Sequence, residues 1–524
     1  MLAARPALSP ATRAFFHVNE PIRDQILAAL QQAHPAEPTV IDLAAHAEPT
    51  FSCSWNGGEA VLRREHLEAL FAAPIKDRFI DACATGRLTW PSPVDGAPMR
   101  LLGGLFLDDF RFAYRMLDEA SGLVVVPIVT EHLSCTIALF LPQACLVFTP
   151  SGFATHLLGH HFRGVAERLE QHLGRHALLL ERYFRLENFS FVSVLRERPG
   201  LHLGHQLWNE LGAIESIVDA LAPGNLPHFL VPTAPEGTEI YGPLDTLYPE
   251  LVGRVVRSEL GVRGLIPDAY ARGYCVTRLT GEMVPARLRE RIGRFAASSP
   301  SGRAVAAAAA DSGELPIIMI GLRVENRTHV DLPGFLKALI ERLMQRTGPA
   351  VFVIDGHNRR LPGDAESSLE SHWEHVAIRR PQDVEHEIVT ELSGHFAGSE
   401  ARIVSTIGAN IQESISWCRL SRVFIAIWGA GLAKYRWVGN LPGFVLSSAW
   451  NLQHRADLHI YDLPQYMDDP TEVAFVAPDI ITDRADERPL VVVGENLQPS
   501  YANFDVNVEA LWPQLAEFLQ RHAL

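Results

Sequence analysis

The sequence predicts an α/β protein with two Rossmann-like domains and an additional N-terminal α+β region. Short apolar runs alternate with amphipathic helical stretches through the second and third parts of the chain, and this strand–helix–strand order folds into parallel sheets. A Ser-, Pro-, Gly- and Ala-rich segment at 295–314 interrupts the alternation, which is typical of an interdomain connection that includes a short helix. We therefore expect three domains, over residues 1–185, 186–300 and 315–524.

Each region has elements that its hydrophobic periodicity defines: strands are short apolar runs bounded by Gly, Pro or polar residues, and helices repeat their apolar residues at helical spacing. In the first region, the predicted elements are strands at 123–129 and 136–140 and a helix at 162–183. In the second region, they are a strand at 189–195, a helix at 203–221 and a strand at 227–232. In the third region, they are strands at 316–323, 350–355, 401–405, 424–428 and 458–461 and helices at 332–346 and 507–522.

Composition limits the classes of function. The chain has 524 residues, 47% of them hydrophobic and 20% charged, which is typical of a globular protein. Its net charge of −15 argues against a general nucleic-acid or anionic-membrane surface, because such surfaces need basic patches to neutralise phosphate. We therefore expect any phosphorylated ligand to be held by local arginines.

The cysteines and the apolar stretches predict a cytoplasmic protein. Six cysteines are scattered without a CxxC pair, so we expect reduced thiols. The first residues lack the continuous apolar segment of a signal peptide. The longest apolar stretches are interrupted by prolines or polar residues and are too short to span a bilayer.

The chain offers no convincing metal site. His156, His160 and His161 lie close together in sequence, but no cysteine or carboxylate accompanies them. Asp108 and Asp109 precede an aromatic run and are interpreted as a turn or a helix cap. We therefore expect neither a metal nor another cofactor.

The apolar run that begins at Phe424 stops abruptly at a glycine-containing segment and resumes as a helical pattern. A strand, a tight turn and a helix start are therefore predicted. We call the segment the glycine turn; it consists of Gly429, Ala430, Gly431 and Leu432. Helix N-termini carry unpaired N–H groups, and glycines let phosphates approach the backbone, so the turn is a natural diphosphate site. A tight turn without a ligand is the alternative.

Polar residues follow the other predicted strands of the third region, and the carboxyl ends of parallel strands meet at one edge of a sheet, where ligands bind. Arg323 and Arg327 could grip a diphosphate with forked guanidinium groups, or could form a surface ion pair with Glu325. Asp355 and His357 could bind ligand hydroxyls or cap the turn in which they lie.

Two further helix starts complete the set of candidate residues. Glu413 and Ser414 would begin a helix at the same sheet edge, where they could contact a ribose or a base. His205 lies between a strand and a helix of the second region and could remove a proton from a hydroxyl near neutral pH, or could cap and pack that helix. Asn209 and Glu210, on the same helix, fit helix-surface or interdomain hydrogen bonding better than catalysis.

These motifs together resemble the GT-B glycosyltransferases, most closely the bacterial relatives of the family that contains plant xylan-decorating transferases and an endoplasmic-reticulum O-GlcNAc transferase. The likeness covers about residues 185–524 and leaves the first third unexplained. The family usually has a histidine before the glycine turn, where this chain has Trp428, which could instead stack on a base or a sugar. The matching motifs are Gly204-His205-Gln-Leu-Trp208-Asn209-Glu210, Leu322-Arg323 with Asn326-Arg327, and Gly429-Ala-Gly-Leu432.

The resemblance implies transfer of a sugar from a nucleotide-diphosphate-sugar donor to a glycan or protein acceptor, as in polysaccharide biosynthesis, with a histidine base and without a metal. Residues 315–524 would bind the donor and residues 186–300 the acceptor. The implied catalytic residues are His205 and Glu210. The matching motifs and the strand-end positions together give the candidate donor-binding residues Arg323, Arg327, Asp355, His357, Glu413, Trp428 and the glycine turn.

Two other functions remain open on the same scaffold. Pyruvyl transfer to a polysaccharide would also use arginines and a histidine. A degenerate glycosyltransferase could act as a scaffold or a carbohydrate-binding protein, which the tryptophan at position 428 makes plausible. A serine hydrolase and a dinucleotide oxidoreductase are disfavoured, because the chain has neither a Gly-x-Ser-x-Gly elbow nor a GxGxxG turn after the first strand of either strand–helix–strand unit.

Overall fold

A computed structural model gives the fold of most of the chain. It describes residues 39–72, 75–108, 111–130, 135–144, 146–150, 176, 178–195, 203–233, 239–259, 261–281, 283–358, 380–455, 458–462, 464–487, 490 and 499–524. The described residues form a mixed α/β protein with parallel sheets, as the sequence predicts. The chain divides into two compact units. The first unit comprises Met1–Glu197, Ser216–Ala234 and Glu250–Gly281, and the second comprises Arg198–Glu215, Pro235–Pro249 and Glu282–Leu524.

The first unit contains a largely antiparallel sheet. Its region has strands β1 (Thr39–Asp42), β2 (Thr50–Trp55), β3 (Gly58–Arg63), β4 (Arg100–Asp108), β5 (Arg111–Asp118), β6 (Leu123–Thr130), β7 (Cys135–Leu141) and β8 (Leu146–Thr149), and helices α1 (Arg64–Ala72) and α2 (Ile75–Thr85). Six strands pair in the order β1-β8-β7-β6-β5-β4, while β2 and β3 form a separate hairpin. The strands predicted at 123–129 and 136–140 are confirmed as the antiparallel neighbours β6 and β7. Most of the helix predicted at 162–183 lies outside the described residues, but residues 178–183 are helical.

The first unit also contains a four-stranded parallel sheet. Its strands are β9 (Ser190–Val194), β10 (His228–Pro232), β11 (Val255–Ser258) and β12 (Tyr274–Thr277). They pair in the order β11-β10-β9-β12, so the predicted strands at 189–195 and 227–232 are confirmed as parallel neighbours. Helix α3, predicted at 203–221, comprises Leu203–His205, a π-helical stretch Gln206–Leu211 and Gly212–Ala220. Its residues up to Glu215 belong to the second unit.

The second unit is built on a six-stranded, fully parallel sheet. Its strands are β13 (Ile317–Gly321), β14 (Ala350–Asp355), β15 (Ala401–Ser405), β16 (Val423–Ile427), β17 (Gly443–Leu446) and β18 (Val473–Phe475), and a small hairpin follows, with strands β19 (Thr482–Arg484) and β20 (Asn503–Asp505). The six strands pair in the order β15-β14-β13-β16-β17-β18. All residues of β13, β14, β16 and β17 are buried, because helices cover both faces of such sheets.

The remaining helices, in chain order, are α4 (Leu244–Leu247), α5 (Gly261–Ala271), α6 (Ala286–Ser298), α7 (Pro300–Ala310), α8 (Leu332–Thr347), α9 (Pro381–His395), α10 (Ile411–Leu420), the π-helical turn α11 (Ala433–Val438), α12 (Ala449–His454), α13 (His459–Asp462) and α14 (Val508–Arg521). Short 3₁₀ turns occur at Leu43–Ala45, Pro223–Asn225, Pro249–Leu251, Pro464–Tyr466, Pro478–Ile480 and Pro499–Tyr501. The predicted helices at 332–346 and 507–522 are confirmed as α8 and α14. The ring of Phe518 in α14 packs on Phe444 of β17, with 5.8 Å between centroids.

The short helix predicted within the connection at 295–314 is confirmed as α7, which Ser299 caps by accepting a hydrogen bond from the Gly302 amide and which contains alanines, the residues of highest helix propensity. One prediction of local structure was wrong. The segment 458–461 forms the helical turn α13 instead of a strand. Four residues are too few for periodicity to distinguish a strand from a helical turn. In the structure, the ring of Tyr461 in this turn stacks on Trp437 with 4.8 Å between centroids.

Candidate functional site

The order in which the chain adds strands to the six-stranded sheet changes direction between β13 and β16, which are parallel, hydrogen-bonded neighbours. From β13 the chain continues to β14 on one side, whereas β16 continues to β17 on the other. At such a switch point the loops at the carboxyl ends separate, and the crevice between them is where open parallel sheets bind ligands. Arg323 follows β13 and the glycine turn follows β16, so the two lie at this edge, as the sequence predicts for Arg323 and Gly429.

Arg323 lies directly against the glycine turn. Its Nε donates to the Asn326 carbonyl at 2.5 Å and its Nη2 donates to Asn326 Oδ1 at 2.7 Å. The third nitrogen faces the turn: a Cβ atom placed on Gly429 would lie 2.5 Å from Arg323 Nη1. A side chain at position 429 would therefore require the guanidinium group to shift from the orientation in which Asn326 holds it.

The backbone of the glycine turn is accessible. Gly429, Ala430 and Gly431 are half-buried, whereas Leu432 is buried. The turn tightens as the Leu432 amide donates to the Gly429 carbonyl at 3.1 Å. Within the described part of the chain, no acceptor receives the amides of Gly429, Ala430 or Gly431. Three N–H groups and one guanidinium nitrogen thus lie at the same edge.

Arg327 covers the ring of Trp428. The guanidinium carbon lies 4.3 Å from the centroid of Trp428 and 5.1 Å from that of Tyr501. Arg327 has a φ of 62°, a left-handed conformation that is uncommon for a residue with a side chain. Trp428 is 6% exposed, so its ring packs against the arginine and offers a ligand little surface.

Asp355 is the centre of a buried polar cluster at the end of β14. Its Oδ1 accepts from Thr406 at 2.5 Å and Ser414 at 2.6 Å, and its Oδ2 accepts from Lys434 Nζ at 2.5 Å and from the Tyr435 hydroxyl. Burial would raise the pKa of Asp355, but Lys434 and these hydrogen bonds outweigh it and lower the pKa. The carboxylate is fully buried and therefore has no oxygen exposed to a ligand hydroxyl.

His357 lies between two carboxylates. Its Nε2 is 2.9 Å from Glu325 Oε1 and its Nδ1 is 2.9 Å from Glu385 Oε1. Burial alone would lower the pKa of His357, but Glu385 and Glu325 outweigh it and raise the pKa to about 10. His357 is therefore an imidazolium at neutral pH, which lets it donate from both ring nitrogens but prevents it from accepting a proton.

The pairing of His357 with two carboxylates predicts that the free energy of unfolding depends on pH. Because the pKa of His357 is raised from about 6.5 to about 10 on folding, its contribution is complete below pH 6.5 and is lost as the pH rises through 10. Over that window we expect the free energy of unfolding to fall by up to about 1.4 kcal/mol per pH unit. Urea titrations of wild type and His357→Gln at several pH values measure this. If the free energy of unfolding depends on pH in the same way in both proteins, His357 is not the cause.

Glu413 and Ser414 begin α10, as predicted, and Asn410 caps the helix by accepting from the Glu413 amide at 3.0 Å. Ser414 is buried and donates to Asp355, so it belongs to the internal cluster. Glu413 is half-buried, and partial burial raises its pKa. Of the pair, Glu413 is the residue that remains available to a ligand.

The helix that carries His205 packs against the helix that follows the glycine turn, within the second unit. The first turn of α3 contacts α11, and Trp208 lies 5.8 Å from Trp437 between ring centroids. His205 Nδ1 is 2.8 Å from Asn209 Oδ1. An amide oxygen can only accept, so Nδ1 carries a proton. Glu210 is 3% exposed and thus buried.

Sequence reasoning missed Asn326, Glu385, Lys434 and Tyr435 as parts of this edge. Asn326 lies in the motif Asn326-Arg327, but no role in the site was predicted for it. Lys434 and Tyr435 stand in an apolar run, Ala433–Val438, every residue of which is buried. A lysine in such a run was the available signal, because a buried ammonium group requires a buried acidic partner.

Neither a metal cluster nor a membrane span is found in the part of the chain that the structure describes. No group of at least three His, Cys, Asp or Glu side chains there could hold a metal ion. The described helices are also too short or too polar to cross a bilayer.

No family model matches the chain, and no curated protein matches it. Several solved structures show weak similarity. The ADP-heptose lipopolysaccharide heptosyltransferase II of E. coli has 9% identity and a TM-score of 0.32, with 64% of this chain and 99% of that chain covered. A UDP-forming α,α-trehalose-phosphate synthase from Burkholderia xenovorans has 11% identity and a TM-score of 0.27, with 74% and 85% covered.

The N-terminal domain of the Candida albicans trehalose-6-phosphate phosphatase is also similar, with 12% identity and a TM-score of 0.20. The alignment covers 33% of this chain and 36% of that one, so the chain spans little more than a third of that structure's length. Superpositions at these values define neither fold nor activity. The function proposed below therefore rests on the residues at the sheet edge.

Proposed function

We propose that the protein is a GT-B-type glycosyltransferase that binds a nucleotide-diphosphate sugar at the switch point between β13 and β16. One observation carries the proposal: Arg323 Nη1 packs on Gly429, beside a turn whose amides have no acceptor within the described residues. A cationic side chain and unpaired amides at one sheet edge are the donors that favour a small anionic group.

A diphosphate suits these donors better than a carboxylate does. Its two linked phosphates could accept from the glycine-turn amides and from Arg323 together, and the planar guanidinium would hold one of them in a fixed orientation. The same donors would stabilise the charge that develops on the leaving diphosphate without a metal. We assign further donor contacts to Arg327 and Glu413, and propose that Glu413 accepts from ribose hydroxyls.

His205 is the proposed base. It lies in the same unit as the glycine turn, on a helix that contacts α11, and Asn209 fixes the orientation of its ring through Nδ1. In an inverting transfer, such a base would remove the proton of the acceptor hydroxyl opposite the leaving diphosphate. The acceptor would be a glycan or a protein, residues 186–300 would contribute most of its site, and the reaction would take place in the cytoplasm.

A thermal-shift screen tests donor binding. UDP-, GDP- and dTDP-linked sugars should raise the unfolding temperature in a concentration-dependent way, because a ligand that binds only the folded state stabilises it by mass action. CMP-linked sugars, which have one phosphate, are the matched control for the diphosphate. Binding without sugar transfer to any acceptor would instead favour the degenerate scaffold. If none of these sugars changes the unfolding temperature, the proposal is wrong.

Arg323→Ala should weaken binding of the best donor by roughly 1.5 to 3 kcal/mol, the scale of hydrogen bonds to a charged group. Arg323→Lys should recover only part of this loss, because the lysine ammonium group lacks the planar pair of donors that a guanidinium group offers. Isothermal titration calorimetry measures both. Arg346→Ala is the control, since Arg346 is exposed and bonds to the Leu524 carbonyl at the opposite edge of the sheet. Unchanged affinity in Arg323→Ala would exclude Arg323 from the site.

A further inference from the structure

Tyr435 lies beneath both arms of the proposed diphosphate site, which are Arg323 and the glycine turn. It is the third residue of α11, is 2% exposed, and packs on Phe424 with 5.4 Å between ring centroids. Its hydroxyl donates to Asp355 Oδ2. A buried tyrosine whose hydroxyl donates to a buried carboxylate is held at both ends, by ring packing and by a charge-assisted hydrogen bond.

Two glycines make room for this ring. A Cβ atom on Gly321 would lie 2.7 Å from Tyr435 Cε2, and one on Gly431 would lie 3.3 Å from the Tyr435 hydroxyl oxygen. Gly321 is the last residue of β13, two positions before Arg323, while Gly431 belongs to the glycine turn. The tyrosine therefore touches the backbone on both sides of the switch point.

We infer that Tyr435, anchored by Asp355, is a positioning residue that sets the spacing between Arg323 and the glycine turn. The inference rests on the proposed function, because spacing matters only if one ligand bridges the two arms. Donors that must engage two linked phosphates at once bind well only when they are held at the required separation. Tyr435 is buried beneath the turn and would act without touching the ligand.

Tyr435→Phe tests this role, because the ring remains and only its hydroxyl is removed. With inorganic pyrophosphate as the probe, we expect calorimetry to show affinity weakened about three- to tenfold, the effect of one hydrogen bond. Tyr248→Phe is the matched control: Tyr248 is fully buried, and its hydroxyl donates to the Leu211 carbonyl, not to Asp355. It should lower the unfolding temperature similarly and leave pyrophosphate affinity unchanged.

A double-variant cycle separates spacing from general loss of stability. If Tyr435 acts by positioning the turn relative to Arg323, Tyr435→Phe should change affinity less than twofold in an Arg323→Ala background, because coupled residues are not additive. Equal effects in both backgrounds, or unchanged affinity in Tyr435→Phe, would overturn the inference. Failure of the wild type to bind pyrophosphate and every nucleotide sugar would instead overturn the proposed function.

A second variant serves if Tyr435→Phe does not fold. Gly321→Ala adds a methyl group against the same ring and should displace it, because Tyr435 and Ala426 already fill the space. Pyrophosphate affinity should again fall about three- to tenfold. Gly313→Ala is its control, since no atom lies within 4 Å of a Cβ there; although its φ of 65° strains alanine, affinity should not change. Wild-type affinity in Gly321→Ala would contradict the inference.

Discussion

Lys434→Met should destabilise the protein by about 3 to 5 kcal/mol, the cost of leaving a buried charge without its partner. Lys434 is 1% exposed, and its ammonium group donates to Asp355 at 2.5 Å and to Asn358 Oδ1 at 2.5 Å. Methionine keeps the length of the side chain and removes the charge, so the loss reports on electrostatics more than on packing. Urea denaturation of the purified variant measures it.

A control ion pair at the surface and a double variant make this test specific. Lys337 and Glu391 are also 2.5 Å apart but are more exposed, so Lys337→Met should cost no more than about 1 kcal/mol. Adding Asp355→Asn to Lys434→Met removes the second charge and should recover part of the lost stability. Equal losses in Lys434→Met and Lys337→Met would show that the buried pair is not the source.

His205→Ala should slow sugar transfer by about a hundredfold or more while leaving donor affinity nearly unchanged. The imidazole is the proposed acceptor of the hydroxyl proton, and donor binding is assigned to other residues. A transfer assay under single-turnover conditions, combined with calorimetry of the donor, separates the two effects. His454→Ala is the control, because His454 is a histidine on an exposed part of α12 whose Nδ1 contacts the Trp450 carbonyl.

Asn209→Ala should act through His205, because it removes the acceptor that fixes the proton on Nδ1. Normal turnover by His205→Ala would assign the base to another group. His357 could not take that role, since Glu325 and Glu385 keep it protonated. Glu210 would then be the residue to test.

The strands around the site could be predicted because β13, β14 and β16 are continuous apolar runs that end in Gly or polar residues, a pattern that needs no tertiary information. Parallel order then places their ends at one edge, which is why Arg323 and Gly429 could be predicted together. The predicted domain boundaries and the catalytic role of His205 stay predictions.

The partners of the charged residues could not be predicted in this way. Asp355 and His357 are polar residues at strand ends, as expected, but their chemistry depends on Lys434 and Glu385, which come from distant helices. Local sequence also cannot predict that α11 is π-helical, a widening of the helix in which the consecutive residues Lys434 and Tyr435 reach one carboxylate oxygen.

The pairing of charges at this edge affects how fast a ligand could arrive. Lys434 is neutralised by Asp355. His357 and Arg323 together balance the charges of Glu325 and Glu385, so these fields largely cancel beyond the site, and salt screens what remains over about 8 Å. The chain as a whole carries a net charge of −15, which repels a polyanion at long range. Electrostatic steering would therefore not accelerate encounter, and capture of a diphosphate would depend on short-range contacts after arrival.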